Sequence, residues 1–307
     1  MEYNKAMAIL VTGGMGFIGW HTINELSNNF PNERILCLDN LSLSELKALP
    51  KNAEFIKGDI RDVKLVSQLV AEADKGVIHL AADSRVLPSL HNPDLVIESI
   101  ETNVKGTANI LVSMVKYQRG ATMVYAGSST AYGDHATPQS EDLLPRVQSP
   151  YSATKLSGEN LIKSFVETFG LKATVLRYFQ VYGQGQPKSG PYALVTGIFL
   201  DQAHKGLPLT IEGTGEQRRD FVHVKDVARA NRCALTFNSK GNPINIGTGI
   251  SYSINELADM ISQNQVTLPP RKIDLPATLA DTAIAKAQLG WNSQISLLDG
   301  IQEMLVN

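Results

Sequence analysis

Residues 7–20 read MAILVTGGMGFIGW, and this stretch decides the fold. The apolar run Met7 to Val11 has the form of a strand covered on both faces. It leads into Gly13, Gly16 and Gly19 at three-residue spacing, and a helical pattern from Gly16 to Asn28 follows at once, with Phe17 and Ile18 inside the turn. Glycines in that context permit a tight turn and close approach of the backbone to a pyrophosphate, whose charge then sits at a helix N-terminus. The next strand, Arg34 to Asp39, ends in an acid 39 − 19 = 20 residues beyond the last glycine, with Asn40 beside it. A carboxylate there can accept from both hydroxyls of an adenosine ribose and repels a 2′-phosphate, so the reading is NAD rather than NADP.

Outward from this unit, β-rich runs at Glu54 to Gly58, Gly76 to Leu80, Thr122 to Ala126 and Ala173 to Arg177 alternate with helical stretches at Val63 to Ala73, Pro93 to Tyr117 and Tyr151 to Gly170. That alternation predicts an α/β fold, a doubly wound parallel (Rossmann) sheet with crossover helices. Ligands of such sheets lie outside the carboxyl ends of the strands, which adds Asp59 and Ile60 after the third strand, and Leu80, Ala81 and Ala82 after the fourth, to the cofactor site. After Gln180 the chain turns to Gly- and Pro-rich loops, read as a second, smaller α/β substrate lobe; Asp220 to Leu235 again reads strand then helix. The expected division is 1–179 plus 217–243 for the dinucleotide domain and 180–216 plus 244–307 for the lobe.

Composition narrows the function. The 307 residues include 28 Lys+Arg and 30 Asp+Glu, 28 − 30 = −2, scattered without a basic stripe, which argues against a nucleic-acid partner. With 43% hydrophobic residues a disordered chain is excluded. Cys37 and Cys233 are too few for a disulfide framework and read as buried apolar residues. The six His show no ligand spacing, so no metal is expected. No signal-peptide core or 18-residue apolar run is present, so the expectation is a cytoplasmic protein without a membrane partner. The stretch Pro93 to Tyr117 is apolar on more than one stripe, which predicts a homodimer through helices 93–117 and 151–170.

Tyr151 and Lys155 are four apart at a helix start and share one face. An ammonium beside a phenol favours the phenolate, so Tyr can act as a base near neutrality. The pair alone is weak, since 9 Tyr and 17 Lys place about 0.5 such pairs by chance. Position strengthens it, because Ser128 closes the preceding strand and the three side chains can converge at the sheet edge.

Through TGGMGFIG, GDIRD, HLAA, SSTAYG, PYSATKLSGE, LRYFQVYG, GTGEQRRDFVHVKDVA, NIGTG and ADTAIAKAQLGW the chain resembles the extended short-chain dehydrogenase/reductases, specifically the NAD-dependent nucleotide-sugar epimerase/dehydratase group. The resemblance implies that Tyr151 removes a proton from a sugar hydroxyl while Ser128 hydrogen-bonds the same oxygen, and that Lys155 holds the nicotinamide ribose. It further implies that Asn103 lies near the active site among the cofactor-binding residues, that Tyr178 packs the nicotinamide, and that Phe179 begins the sugar pocket. Gln180 departs from the Asn usual there. Arg219 and Arg271 match positions that contact the diphosphate, where planar guanidinium donors suit phosphate oxygens.

Within the group, 4,6-dehydratases usually carry Asp-Glu immediately before the position of Ala131, and decarboxylases a Glu. This chain has Ser129 and Thr130, counted with the substrate site, and neither is an acid. The resemblance therefore implies 4-epimerisation of a UDP-hexose by transient oxidation at carbon 4. Thr278 matches a position where a bulky aromatic narrows the sugar pocket; a small residue implies that UDP-GlcNAc and UDP-GalNAc are accepted as well as UDP-glucose and UDP-galactose. The rival readings are a UDP-uronate epimerase or decarboxylase, a 4-keto reductase, and a non-catalytic dinucleotide-binding regulator.

Overall fold

A computed structural model describes residues 7–84, 92–190, 193–270 and 275–306. The chain opens with β1 (Ala8–Thr12), α1 (Phe17–Asn29), β2 (Arg34–Asp39), β3 (Ala53–Lys57), α2 (Val63–Glu72) and β4 (Gly76–His79). Helix α3 follows in three pieces, Asp94–Ile100, a π-helical turn Glu101–Gly106 and Thr107–Tyr117; then come β5 (Thr122–Ser128), α4 (Pro150–Phe169) and β6 (Lys172–Tyr178). The remainder is β7 (Gln180–Tyr182), α5 (Val195–His204), β8 (Leu209–Glu212), β9 (Arg218–Arg219), β10 (Phe221–His223), α6 (Val224–Ala234), β11 (Pro243–Ile246), β12 (Tyr252–Ser253), α7 (Ile254–Ile261), β13 (Gln265–Leu268), α8 (Ala283–Leu289) and α9 (Leu297–Val306).

Seven parallel strands form one sheet in the order β3-β2-β1-β4-β5-β6-β11. β1, β4 and β5 are buried along their whole length, as strands covered on both faces must be. Ile9, Val11, Ile23 and Leu26 pack on one face, Leu10, Val66, Ile110 and Met114 on the other. The strand order reverses between β1 and β4, which opens a crevice at their carboxyl ends. A second core, built on Tyr182, Phe199, Phe221, Leu257 and Ile301, joins the short pairs β7–β10 and β8–β13 to α5, α7 and α9.

Three expectations are corrected. β11, which the expected boundary between 243 and 244 cuts, extends the main sheet beside β6; its four residues PINI are too short a run to register as a strand by pattern. Ala285 and Trp291, also placed in that lobe, pack into the sheet core with Val224 and Val227. Cys233 is only half-buried, at the end of α6. The breadth of the apolar face over 93–117 has a local cause: the π turn shifts the phase of the helix, so stripes before and after it do not align.

Candidate active site

At the turn after β1, Gly13 has φ +68°, and a Cβ there would come within 2.7 Å of the Ala81 backbone nitrogen. Only glycine lets the turn rest against the end of β4. Gly16 caps α1 without a side-chain hydrogen bond, and a Cβ on it would meet nothing but Gly13 O at 3.2 Å. The first N–H groups of α1 have no intrahelical acceptor and face a space that any side chain would fill, which suits a phosphate group. Asp39 at the end of β2 is buried and braces the turn: Oδ2 accepts from Met15 N–H at 2.9 Å, and Oδ1 from Leu41 N–H at 2.8 Å and the Ser44 hydroxyl at 3.0 Å. Asp59 takes Arg61 Nε and Nη2 at 2.9 and 2.7 Å and Asn40 Nδ2 at 2.9 Å; the Arg61 guanidinium holds its carboxyl down at about 2.

These groups line a cleft of about 410 Å³, within the size range of small-molecule sites. Every residue assigned above to the cofactor lines it except Asn103, and so do Ser128, Ser129, Thr130, Phe179 and Gln180. The residues present therefore fit a dinucleotide.

Helix α4 presents the expected pair, Tyr151 and Lys155. Ser149 and Ser152 form a reciprocal capping box and Pro150 takes the first helical position, which sets Tyr151 in the first turn. Ser128, the last residue of β5, is within 2.9 Å of the Thr130 hydroxyl. Lys155 is 4% exposed, its Nζ 4.4 Å from the centroid of the Tyr125 ring. Burial pushes the Tyr151 phenol up to about 12; the Ser128 hydroxyl works against this and the Asp83 charge adds to it. Burial likewise pushes the Lys155 ammonium down to about 8, opposed by Glu159. Both groups sit on one dry floor, where burial disfavours the charged form of each.

Asn103 is a further correction. It is 2% exposed and stands behind the cleft, where the π turn of α3 aims it at other protein groups. Its Nδ2 donates to Asp83 O and Thr154 Oγ1, both at 2.9 Å, and its Oδ1 accepts from Asp83 N–H at 2.7 Å. It locks the loop after β4 to α4. Asp83 itself, a buried acid that accepts from the Ser99 hydroxyl at 2.7 Å, was not legible as a site residue. Its only signal was an acid directly after the small pair Ala81 and Ala82. Ser42, Leu43, Gln186 and Leu194 also line the cleft from loops that carry no motif.

Of the residues expected to hold the substrate, Arg219 and Thr278 fall outside the cleft lining. Arg219 Nη1 donates to Leu275 O at 2.7 Å and Arg218 O at 2.8 Å, and Thr278 N–H donates to Arg218 O at 3.0 Å. Arg271 lies outside the described residues. Among the described residues no group of His, Cys, Asp and Glu could hold a metal ion, and no helix is long and apolar enough to cross a membrane.

Fold and site together define a dinucleotide-binding α/β protein in which Ser128, Tyr151 and Lys155 line one cleft at the sheet edge. Residues 9–247 match the profile of the NAD dependent epimerase/dehydratase family, and the chain belongs to that family. It is an NAD-dependent enzyme of the nucleotide-sugar epimerase/dehydratase class. Among solved structures it is similar to the UDP-glucose 4-epimerase of Thermotoga maritima with UDP-glucose, at a TM-score of 0.90 and 34% identity over 98% of each chain. It is also similar to the UDP-N-acetylglucosamine 4-epimerase of Methanobrevibacter ruminantium in complex with UDP-N-acetylmuramic acid, at 0.88 and 29% over 98% of this chain and 99% of that one. A curated relative, the UDP-glucuronate 4-epimerase of Thermodesulfobacterium geofontis, is 32% identical over 95% of this chain and 93% of its own length.

Proposed function

We propose that the enzyme interconverts UDP-hexoses by 4-epimerisation. The observation that carries this reading is that Ser128, Tyr151 and Lys155 share the cleft with the glycine turn, while the residues after Ser128 that line it are Ser129 and Thr130. The resemblance implies an acid at those positions in the enzymes that eliminate water from the sugar, and neither residue is one. The Asp83 carboxylate accepts from Ser99, and Asp83 does not line the cleft.

In this reading Tyr151 Oη takes the proton of the carbon 4 hydroxyl, and Ser128 orients the same oxygen. The chemistry supplied by bound NAD is removal of hydride from carbon 4 and its return to the other face, so no net redox change occurs. The glycine turn and α1 N-terminus hold the pyrophosphate of NAD, Asp39 its adenosine ribose, and Lys155 its nicotinamide ribose. Tyr151, pushed up to about 12 by burial, is a phenol in the protein alone; it becomes a base only as positive charge gathers beside it, and Lys155 provides part of that charge.

The small Thr278 and the UDP-N-acetylglucosamine 4-epimerase likeness support acceptance of N-acetylhexosamines as well. Arg219 and Arg271 are the proposed diphosphate contacts. A homodimer through helices 93–117 and 151–170 is supported by Ile97, Ile100 and Val112, which are 66%, 42% and 39% exposed along α3. Light scattering should then give twice the chain mass.

The test is incubation of the purified protein with UDP-glucose, UDP-GlcNAc and UDP-glucuronate, without added cofactor, and separation of the products. UDP-galactose and UDP-GalNAc are the expected products. A uronate epimer or pentose as the sole product would replace this reading. Thr278→Tyr should abolish the N-acetyl reaction and leave the hexose reaction; equal loss of both would place the gate elsewhere.

A further inference from the structure

A buried ion pair stands directly behind the catalytic helix. The side chains of Glu159 on α4 and Arg177 on β6 are only 7% and 4% exposed. Arg177 Nε donates to both carboxylate oxygens at 3.2 Å, and Nη2 to Oε2 at 2.7 Å. Such a pair loses solvation on both sides, and apolar replacements of similar volume are often neutral or stabilising. Stability alone is therefore a poor account of it.

Its placement is specific. Glu159 follows Lys155 by four residues, the spacing that brings side chains together one helical turn apart. Its carboxylate lies over Gly127, the residue before Ser128, where a Cβ would meet Oε1 at 2.9 Å. Arg177 is the ladder partner of Gly127, and its guanidinium is 4.8 Å from the Tyr132 ring, at the end of the turn that carries Ser129 and Thr130. The pair thus stands on the helix that carries Tyr151 and Lys155 and against the strand residue that precedes Ser128.

Among the described residues, the other groups around Lys155 supply no comparable negative charge. Tyr125 on β5 lies under the ammonium, its phenol pushed well above the ordinary range by burial, and donates to Lys155 O at 3.3 Å. His79 on β4 is held neutral, pushed down to about 3 by burial. Tyr151 on α4 is a phenol, and Asp83, in the loop after β4, acts on Tyr151 rather than on Lys155.

The geometry points to Glu159 as a positioning residue for the reaction: its carboxylate, fixed by Arg177, holds the Lys155 ammonium charge beside Tyr151. This rests on the reading of Tyr151 and Lys155 given above.

The test is Glu159→Gln, which keeps shape and removes charge. The alkaline limb of the pH dependence of kcat/KM for UDP-glucose should move down by about 1 pH unit or more, and Glu159→Asp should restore it. In substrate-free protein, an isotope-labelled lysine ε-carbon should show Lys155 titrating lower by a similar amount. A merely structural role would lower Tm and leave both titrations in place, and that result overturns the proposal. Should Glu159→Gln fail to fold because Arg177 is left unpaired, Glu159→Gln with Arg177→Met removes both charges; a lowered limb there supports the proposal and an unchanged one overturns it. Lys155→Met separates the two readings. If that variant keeps full activity the site assignment itself fails, whereas an inactive Lys155→Met beside an unshifted Glu159→Gln retains the site and discards the role of Glu159.

Discussion

The sheet half and the second lobe hold their polar side chains in different ways. On the sheet side, functional groups stand at the ends of long elements: Ser128 closes β5, Tyr151 and Lys155 open α4, and Asp39 closes β2. Behind them His79 bonds Thr12 Oγ1 at 2.7 Å and Thr107 Oγ1 at 3.0 Å with its two ring nitrogens. In the lobe, strands are two to four residues long, and Arg218 and Arg219 donate to the carbonyls of Ser251 and Leu275, far away in sequence. The first site is framed by secondary structure, the second by side-chain bonds between distant segments. Asp220 joins them: fully buried, it accepts from Thr248 N–H and Oγ1, both at 2.7 Å, and from Gly249 and Ala280 N–H, both at 3.0 Å.

If the comparison holds, damage on the sheet side should remove chemistry and damage at the join should remove stability. Tyr151→Phe should lower kcat by about 10²–10⁴-fold with an unchanged circular dichroism spectrum. Turnover near wild type would break the assignment of the base. Asp220→Ala leaves three amides and a hydroxyl without their acceptor, and should destabilise by about 3 kcal/mol in urea unfolding. A change below about 0.5 kcal/mol would mean that the lobe is held elsewhere.

Acid probes both halves at once. Burial pushes His79 down to about 3 and His223, on β10 at the join, down to about 4. An unfolded His binds its proton near 6.5, so below that pH the unfolded chain takes up more protons than the folded one. Stability is therefore full above about 6.5, falls as pH drops, and levels off below the folded values. At pH 5 the loss is about 2 kcal/mol for each ring. Urea midpoints at pH 7 and pH 5 would measure it, and His79→Gln and His223→Gln should each reduce the slope. The smallest effect expected is that of Ser149→Ala, which removes the cap of α4 and should cost about 1 kcal/mol, read as a lower Tm with kcat little changed.

Much of the sheet side was legible before any coordinates. Gly13, Gly16, Gly19, Asp39, Ser128, Tyr151 and Lys155 belong to strand-turn-helix units, and spacing within such units already states where a side chain emerges. Asn103 was placed by resemblance alone, and its bonds to Asp83 and Thr154 join segments that no local spacing connects. Asp83 carries no spacing signal, and its burial depends on Ser99 and Asn103 from another element. The lobe boundary failed at β11 and Trp291 for a related reason: PINI is shorter than a pattern can certify, and Trp291 reaches the sheet core through its bond to Asp226 O.

The sequence by itself determined the doubly wound sheet, the glycine turn after β1, an acid at the end of β2 and the placing of Tyr151 and Lys155 on one helix, because each follows from periodicity within a few residues. Only the tertiary structure decided that burial raises the Tyr151 phenol, that Asn103 braces rather than lines the cleft, and that Glu159 and Arg177 meet behind it. Those outcomes depend on how much water is excluded and on which distant segments come together, and neither quantity is written in local spacing.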